Sequence, residues 1–165
     1  MKLKHDELML PKFAETREAI RQDTDIKIIH LHRQNLFARF VSHWLAANVT
    51  KITEIHSDAD RPTLHPVELP IKECHVDFDR TSARYNFFQK MFSNHPIFQL
   101  SYEDIVGDDG ANVLRDVQDF LGVEQQPLST NLRKVIAKDL REIVLNYDEL
   151  ADHFANTPYG HFFET

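Results

Sequence analysis

Two polar side chains near the start of a predicted helix are of the types that bind phosphate. Arg33 follows an apolar run that predicts a strand, and Ser42 lies two turns into the helix that begins after Asn35. Ser42 is therefore nearly above Asn35, about 10 Å further along the helix axis. A guanidinium, a helix N-terminus and a hydroxyl on one side supply fixed donors and positive potential. The pattern indicates a phosphate site; the alternative is a surface arginine and a helix serine without a ligand.

The elements that position these residues are predicted from the spacing of apolar side chains. Compact apolar runs at 26–31 and 96–101 predict buried strands. Strands separated by helices favour an α/β fold with a three-layer parallel sheet, rich in helix and poor in strands. We expect residues 1–165 to form one domain. Further expected elements are a short strand at 2–4, helices starting near Pro11 and at about 36–49, 79–93, 113–121 and 140–154, a helix restarting at Pro127, and a surface loop at 57–70.

Charge and cysteine content exclude several classes of protein. With 19 basic and 26 acidic residues the net charge is −7, so no general attraction to nucleic acid or to an anionic membrane is expected. No apolar stretch approaches the ~20 residues that span a bilayer. The single cysteine, Cys74, excludes a disulfide framework. We therefore expect a cytoplasmic protein without a membrane span, which binds any anion locally.

The positions of the glycines exclude two common phosphate loops. The four glycines are Gly107, Gly110, Gly122 and Gly160, and the first 106 residues contain none. A loop that cradles phosphate by close approach of the backbone normally needs glycine. Neither a Walker loop nor a dinucleotide-binding fingerprint can therefore lie in that stretch.

Three segments, in order along the chain, resemble motifs of one enzyme family. Residues 30–42 contain a strand end, Arg33 and Ser42, and resemble the strand, arginine and helix serine of the PAPS-dependent sulfotransferases. Leu-Ser-Tyr-Glu-Asp-Ile at 100–105 resembles the Tyr-Glu-Asp-Leu segment of that family. Asn-Tyr-Asp-Glu-Leu at 146–150 resembles its C-terminal pattern. The resemblance extends over residues 26–163.

The resemblance implies a fold like that of the P-loop nucleoside triphosphate hydrolases. It also implies an enzyme that moves a sulfuryl group from 3′-phosphoadenosine 5′-phosphosulfate (PAPS) to a hydroxyl on a small molecule, lipid or carbohydrate, without a metal. By their positions in the motifs, Arg33 and Ser42 would hold the 3′-phosphate of PAPS or of its product PAP. Arg133 and Lys134 would be further basic contacts to the nucleotide, or alternatively solvated charges on a helix.

The family's loop for the 5′-phosphosulfate has no counterpart in this sequence. Residues 10–16 resemble that loop only superficially, because they lack glycine and contain an acid. Residues 1–5 fit a later strand of the family better. We therefore expect the chain to start after the loop and to cover the C-terminal part of a longer enzyme. A sheet that lacks its first strand would expose an edge, which a homodimer could cover.

Two other functions remain open, and the base of a transfer reaction is not assigned. The chain could be a non-catalytic remnant or an interaction module with the sulfotransferase fold. A histidine-based, metal-dependent hydrolase could use His30 and His32, which share a strand face, but no third ligand is identifiable and no metal site is predicted. Four histidines could serve as the base that accepts the hydroxyl proton, and the sequence does not choose among them: His5, His56, His65 and His75.

Overall fold

The computed structural model describes residues 2–130 and 133–164 of the chain. It groups the chain into two units. The first unit comprises Met1–Gln34 and Thr81–Leu128, and the second comprises Asn35–Arg80 and Ser129–Thr165. No helix in the described residues is long and apolar enough to cross a membrane.

The first unit contains a parallel pair of strands, β1 at Ile28–His32 and β2 at Ile97–Ser101. Both predicted strands are confirmed, with β1 starting and ending slightly later than expected. The parallel α/β arrangement is confirmed as well, and in the described residues the sheet has only these two strands, which agrees with the expectation of few strands. The three-layer arrangement stays a prediction. The strand predicted at 2–4 is wrong, because these residues pair with no strand and a short helix begins at His5.

Short helices surround this pair of strands in the first unit. The helix predicted near Pro11 is confirmed as a 3₁₀ turn at Pro11–Phe13 that leads into an α-helix at Ala14–Gln22. Gly122 ends the helix at Gly110–Leu121 with φ of 75°, a left-handed conformation that favours glycine, so this helix stops where the sequence predicts. The helices are α1 His5–Leu8, α2 Ala14–Gln22, α5 Tyr102–Val106 and α6 Gly110–Leu121.

An apolar core joins these elements within the first unit. Leu8, Phe88 and Phe92 are buried together. Partly buried apolar side chains from the helices and both strands pack against them, which removes apolar area from water and stabilises the unit. Those side chains are Leu3, Ile20, Ile28, Met91 and Ile97.

The second unit begins with the helix predicted after Asn35. This α3 spans Leu36–Leu45, and the Asn35 side chain accepts a hydrogen bond from the Ala38 N–H at 2.8 Å, as expected of an N-cap. The chain continues as a π-helical turn at Ala46–Thr50. The prediction of a helix at 36–49 is therefore confirmed, although its last turn is wider than an α-helix.

Helix α4 is longer than the sequence predicts, at Ile71–Met91. The expected start near residue 79 is wrong, because Cys74 and Phe78 are both fully buried and extend the apolar stripe by one more i, i+4 step. The loop predicted at 57–70 is confirmed and contains one 3₁₀ turn, at Asp58–Asp60.

The long C-terminal helix predicted at 140–154 is wrong. Two short helices take its place, α7 at Leu140–Ile143 and α8 at Tyr147–Phe154. The backbone between them pairs with another segment, since the Val67 N–H donates to the Ile143 carbonyl and the Leu145 N–H donates to the Val67 carbonyl, both at 2.8 Å. The helix predicted to restart at Pro127 is wrong too, as the described part of 127–139 is not helical.

Aromatic side chains form the core of the second unit. Phe37 of α3 lies 4.4 Å from Phe163, measured between ring centroids, and Tyr147 contacts both rings. Phe78 of α4 contacts Phe154 of α8 at 5.1 Å. Such ring pairs add to the stability gained from burial. Together they hold α3, α8 and the C-terminal 3₁₀ turn at Gly160–Phe163 in one core.

Candidate functional site

Parallel pairing of β1 and β2 brings the candidate anion-binding residue next to a second motif. His32, the last residue of β1, pairs with Ser101, the last residue of β2. Arg33 and the Tyr102–Glu103 pair therefore leave the same edge of the sheet, at the carboxyl ends of the strands. Ligand sites of parallel sheets collect at this edge.

Arg33 is held by three contacts within the first unit. Its Nε donates to Glu103 Oε1 at 2.8 Å, and its guanidinium carbon lies 4.1 Å from the centroid of the Tyr102 ring. Its backbone N–H donates to the Tyr85 hydroxyl at 3.3 Å. The Arg33 and Glu103 side chains are 27% and 29% exposed. The arginine is thus ordered by an ion pair and by stacking on a ring while it still reaches solvent.

Glu103 binds two successive residues that follow β1. Its second oxygen, Oε2, accepts from the Gln34 N–H at 2.9 Å. Burial favours a higher pKa for Glu103, but hydrogen bonds from the Gln34 and Glu103 N–H groups and from Arg33 outweigh it and lower the pKa below its ordinary value. Glu103 is therefore a carboxylate at neutral pH.

Part of the Arg33 guanidinium stays free for a ligand. Neither Nη1 nor Nη2 has a hydrogen-bond partner among residues 2–130 and 133–164, whereas Nε is taken by Glu103. The two terminal amino groups form a planar edge that can donate two parallel hydrogen bonds to a phosphate or sulfate group. The arrangement can bind a tetrahedral anion.

Ser42 lies on α3 in the second unit, whereas Arg33 lies in the first. Ser42 is exposed, and its hydroxyl has no hydrogen-bond partner in the described parts of the chain, so it can serve a ligand. Asn35 is fully engaged at the start of the helix, because its side chain also donates to the Phe162 carbonyl at 3.0 Å. The joint action of Arg33 and Ser42 on one phosphate stays a prediction.

Arg133 and Lys134 lie in an extended segment of the second unit and not on a helix, which corrects that alternative. The Arg133 N–H donates to the Ile55 carbonyl at 2.9 Å, and the Lys134 carbonyl accepts from Arg61 Nε at 3.3 Å. Both residues are exposed. Their contact with a nucleotide stays a prediction.

His30 lies buried in a network of polar rings in the first unit. Its Nδ1 is 2.8 Å from Gln99 Oε1, its Nε2 is 3.2 Å from His5 Nε2, and the His32 ring stacks on it at 5.6 Å. Burial lowers the pKa of His30; the hydrogen bond with Gln99 opposes this effect and the nearby His32 adds to it. Within the described residues no three candidate ligands form a group that could hold a metal.

The four candidate bases lie in different surroundings. His5 contacts the Tyr85 ring at 5.5 Å and is thereby linked to the Arg33 contacts of the first unit. In the second unit, His75 Nε2 lies 3.7 Å from Asp79 Oδ2, and Asp79 also accepts from the Tyr159 hydroxyl. His56 and His65 are exposed. The geometry does not assign the base to any of them.

A cavity of about 260 Å³ lies beside β1 in the first unit. Its walls are mainly apolar and include Leu8, Ile20, Phe88 and Phe92, and His5, His30 and Gln99 are among its polar lining residues. Arg33 is not among its lining residues. The cavity is therefore separate from the anion-binding edge of that residue.

Reasoning from the sequence missed the contribution of Glu103 and Tyr102. Glu103 and Asp104 are two acids at the start of a helix, a pattern that is typical of helix capping, and this explanation holds for Asp104, which forms a capping box with Ser101. The sequence does contain a signal for the contact between Arg33 and Glu103, the ends of the two predicted strands. Two strands that end at His32 and Ser101 in a parallel sheet place the next residues side by side.

The chain is similar to a protein of known class over most of its length. It is 30% identical over 141 residues to Nodulation protein H of Rhizobium meliloti, and equally so to that protein from strain 1021. The match covers 84% of this chain but 56% of the relative, so the chain spans about half the length of the curated relatives it matches. No family model matches the chain, and no solved structure matches it. Nodulation protein H is a sulfotransferase, and the similarity supports the sulfotransferase resemblance of the motifs.

Proposed function

We propose that this chain is a sulfotransferase-like protein that binds the 3′-phosphate of PAPS or PAP. The observation that carries the proposal is Arg33, whose Nε is fixed by Glu103 while Nη1 and Nη2 stay available to an anion. Two further findings support it: the motifs at 30–42, 100–105 and 146–150, and the similarity to Nodulation protein H. The proposal includes the P-loop-like fold that the family resemblance implies.

The proposed division of labour follows from what sulfuryl transfer needs. The reaction requires a hydroxyl acceptor in line with the leaving group, a base, and donors that stabilise charge on the transferred group. PAPS supplies the activated sulfuryl group. Arg33 and Ser42 would anchor the nucleotide through its 3′-phosphate, with Arg133 and Lys134 as further contacts. The acceptor class is a hydroxyl-bearing small molecule, lipid or carbohydrate.

Replacement of Arg33 tests the proposed phosphate contact. We expect Arg33→Ala to weaken PAP binding, measured by isothermal titration calorimetry, by ~2 kcal/mol or more, which is about 30-fold. Arg33→Lys should restore little, because a lysine cannot donate the two parallel hydrogen bonds of a guanidinium edge.

Arg39 offers a matched control for this experiment. Arg39 Nη1 pairs with Asp77 Oδ2 at 2.6 Å, and the arginine is 27% exposed, as Arg33 is. Arg39→Ala therefore removes an ion pair of similar burial, and we expect it to keep PAP affinity. Equal affinities of Arg33→Ala and the unaltered chain would contradict the phosphate assignment.

A transfer assay separates the enzyme from a non-catalytic remnant. The purified chain is incubated with radiolabelled PAPS and hydroxyl acceptors from the three classes, and labelled product is measured. Because the first 106 residues contain no glycine for a phosphosulfate loop, we expect the 165-residue chain to bind PAP without transferring sulfate. Transfer by this chain would show that the loop is not essential, and absence of PAP binding would contradict the proposed function.

A further inference from the structure

Glu103 touches both residues that connect β1 to the second unit. One carboxylate oxygen accepts from the Arg33 side chain at 2.8 Å and the other accepts from the Gln34 N–H at 2.9 Å. Each oxygen thus accepts from a different partner, and the Arg33 guanidinium donates a single hydrogen bond to Glu103. A carboxylate that only neutralised the charge of the arginine would not need the second hydrogen bond, from the Gln34 N–H.

Two further contacts limit how Arg33 can turn. The Tyr102 ring lies under the guanidinium, with 4.1 Å between the ring centroid and the guanidinium carbon. The Tyr85 hydroxyl accepts from the Arg33 backbone N–H. With its backbone, its Nε and one face fixed, the guanidinium has one edge left for a ligand, the edge of Nη1 and Nη2.

We propose that Glu103 is a positioning residue that turns the Nη1–Nη2 edge of Arg33 toward the 3′-phosphate of the nucleotide. This inference rests on the proposed function, since it assigns a role within the same site. Long arginine side chains lose much rotational freedom when they bind. An arginine that is already ordered before the ligand arrives loses less, so preorganisation by Glu103 raises the affinity for the anion.

The alternative role of Glu103 is to compete with the phosphate for Arg33. This role predicts the opposite change in PAP affinity when Glu103 is replaced. The carboxylate carries a negative charge close to the site and repels an incoming phosphate. If Glu103 merely occupied Arg33 in place of a ligand, its removal would strengthen PAP binding. If it positions Arg33, its removal weakens PAP binding in spite of the lost repulsion.

Calorimetric titration of PAP with variants of Glu103 decides between the two effects. We expect Glu103→Ala to bind PAP about tenfold more weakly. Glu103→Gln should be intermediate, because the amide keeps an acceptor at one of the two positions and places an NH2 donor at the other, opposite the Arg33 Nε–H or the Gln34 N–H. Asp108→Ala removes an exposed acid from the same segment and serves as the control for charge, with an expected affinity close to that of the unaltered chain. Tighter binding by Glu103→Ala, or unchanged binding, would overturn the positioning role.

The double variant Arg33→Ala/Glu103→Ala tests whether Glu103 acts through Arg33. A residue that only positions Arg33 should have no effect once the guanidinium is gone, so the double variant should bind PAP as Arg33→Ala does. Additive losses would instead show that Glu103 acts on the nucleotide, or on the fold, by another route. Thermal melting of each variant reports on the fold separately.

A measurement without nucleotide separates failure of this inference from failure of the proposed function. Proton–nitrogen NMR of the ligand-free chain should show the Arg33 Nε–H signal shifted and protected from solvent exchange, and Glu103→Ala should abolish both features. An unprotected Arg33 Nε–H in the unaltered chain would refute the positioning contact. A chain that fails to bind PAP at all would refute the proposed function and, with it, this role of Glu103.

Discussion

An arginine that is paired with a carboxylate can still bind an anion when the pair uses only part of the guanidinium. The group has five N–H donors, and in Arg33 a single donor is bonded to Glu103. The ring of Tyr102 covers one face and leaves the edge of the terminal amino groups open. At the scale of single residues, the candidate site is therefore an arginine that Glu103 and Tyr102 hold in place and whose terminal amino groups can still donate to an anion.

The buried imidazole of His30 makes stability depend on pH at the residue scale. Burial lowers the pKa of His30 below the ordinary value of 6.5, so the unfolded chain takes up this proton before the folded chain does. The contribution of the neutral ring to the free energy of unfolding is thus present above pH 6.5 and is lost as the pH falls through 6.5 toward the lower folded pKa.

We therefore expect the free energy of unfolding to decrease on acidification from about pH 7.5 to pH 5.5, and to decrease less in His30→Gln. Urea titrations at several pH values measure this difference. His5 and His32 lie against the same ring and remain in both proteins, so the difference reports on His30 together with its contacts to these two rings. Parallel pH profiles of the two proteins would contradict the assignment of a neutral, buried His30.

The sequence identified Arg33 as a candidate because its place after a strand is visible in the pattern of apolar residues. It did not identify Glu103 as the partner, because the two residues are 70 positions apart and their contact depends on which strands pair. Acids in the first turn of a helix have an explanation of their own, helix capping, and it holds for Asp104. Local patterns thus predicted the position of the arginine and missed what orients it.

Helices were predicted correctly where the residues that stabilise them lie within their own sequence. Helix α3 has an N-cap, Asn35, and an apolar stripe, and both signals lie within its own sequence. The segment at 140–154 shows the same helical spacing, but it is divided by a long-range contact. Asn146 exchanges two hydrogen bonds of 2.9 Å with the backbone of Leu69, 77 residues away, and such pairing leaves no mark on helical periodicity.

This contact predicts that Asn146 supports the break between α7 and α8. Its amide accepts from the Leu69 N–H and donates to the Leu69 carbonyl, and Leu69 is only 1% exposed. Asn146→Ala leaves two buried backbone groups without partners. We expect it to lower the free energy of unfolding by about 2 kcal/mol, measured by urea denaturation.

Asn156 provides the control for that substitution. It follows α8, is exposed, and its side chain makes no hydrogen bond with the described residues. Asn156→Ala should change the free energy of unfolding by less than about 0.5 kcal/mol. If the two alanine variants were equally stable, the pairing with Leu69 would not be what supports this break.

For the molecule as a whole, charge restricts where an anion can bind. The net charge of −7 makes the average field repulsive to nucleotides and to nucleic acid alike. A nucleotide must therefore gain its affinity from a few local donors, of which Arg33 is the best placed. A long polyanion cannot use such an isolated donor without bringing the rest of its charge against an acidic surface.

We accordingly expect a short DNA duplex not to bind at physiological ionic strength, and not to displace PAP. Fluorescence anisotropy of a labelled duplex measures binding directly, and a PAP titration in the presence of excess duplex measures competition. A duplex that bound with a steep dependence on salt would reveal a basic surface and contradict the expectation of purely local anion binding.

The sequence could not predict how the chain divides into units. Arg33 and Ser42 are nine positions apart in one strand–helix segment, yet the two units separate at Gln34 and Asn35 between them. Composition is ordinary on both sides of this point and no linker is present. The division depends on which side chains share a core. Each core combines segments that are far apart in the sequence, Met1–Gln34 with Thr81–Leu128 and Asn35–Arg80 with Ser129–Thr165.

The buried thiol of Cys74 makes the chain convenient for labelling. Burial, and to a lesser degree the nearby Asp77 carboxylate, raise the pKa of this thiol to about 12, and the side chain is 0% exposed. The native protein therefore presents no reactive sulfur to a maleimide dye. Cysteines introduced at one exposed position in each unit would accept a donor and an acceptor dye without background, so energy transfer could follow the distance between the units as nucleotide is added.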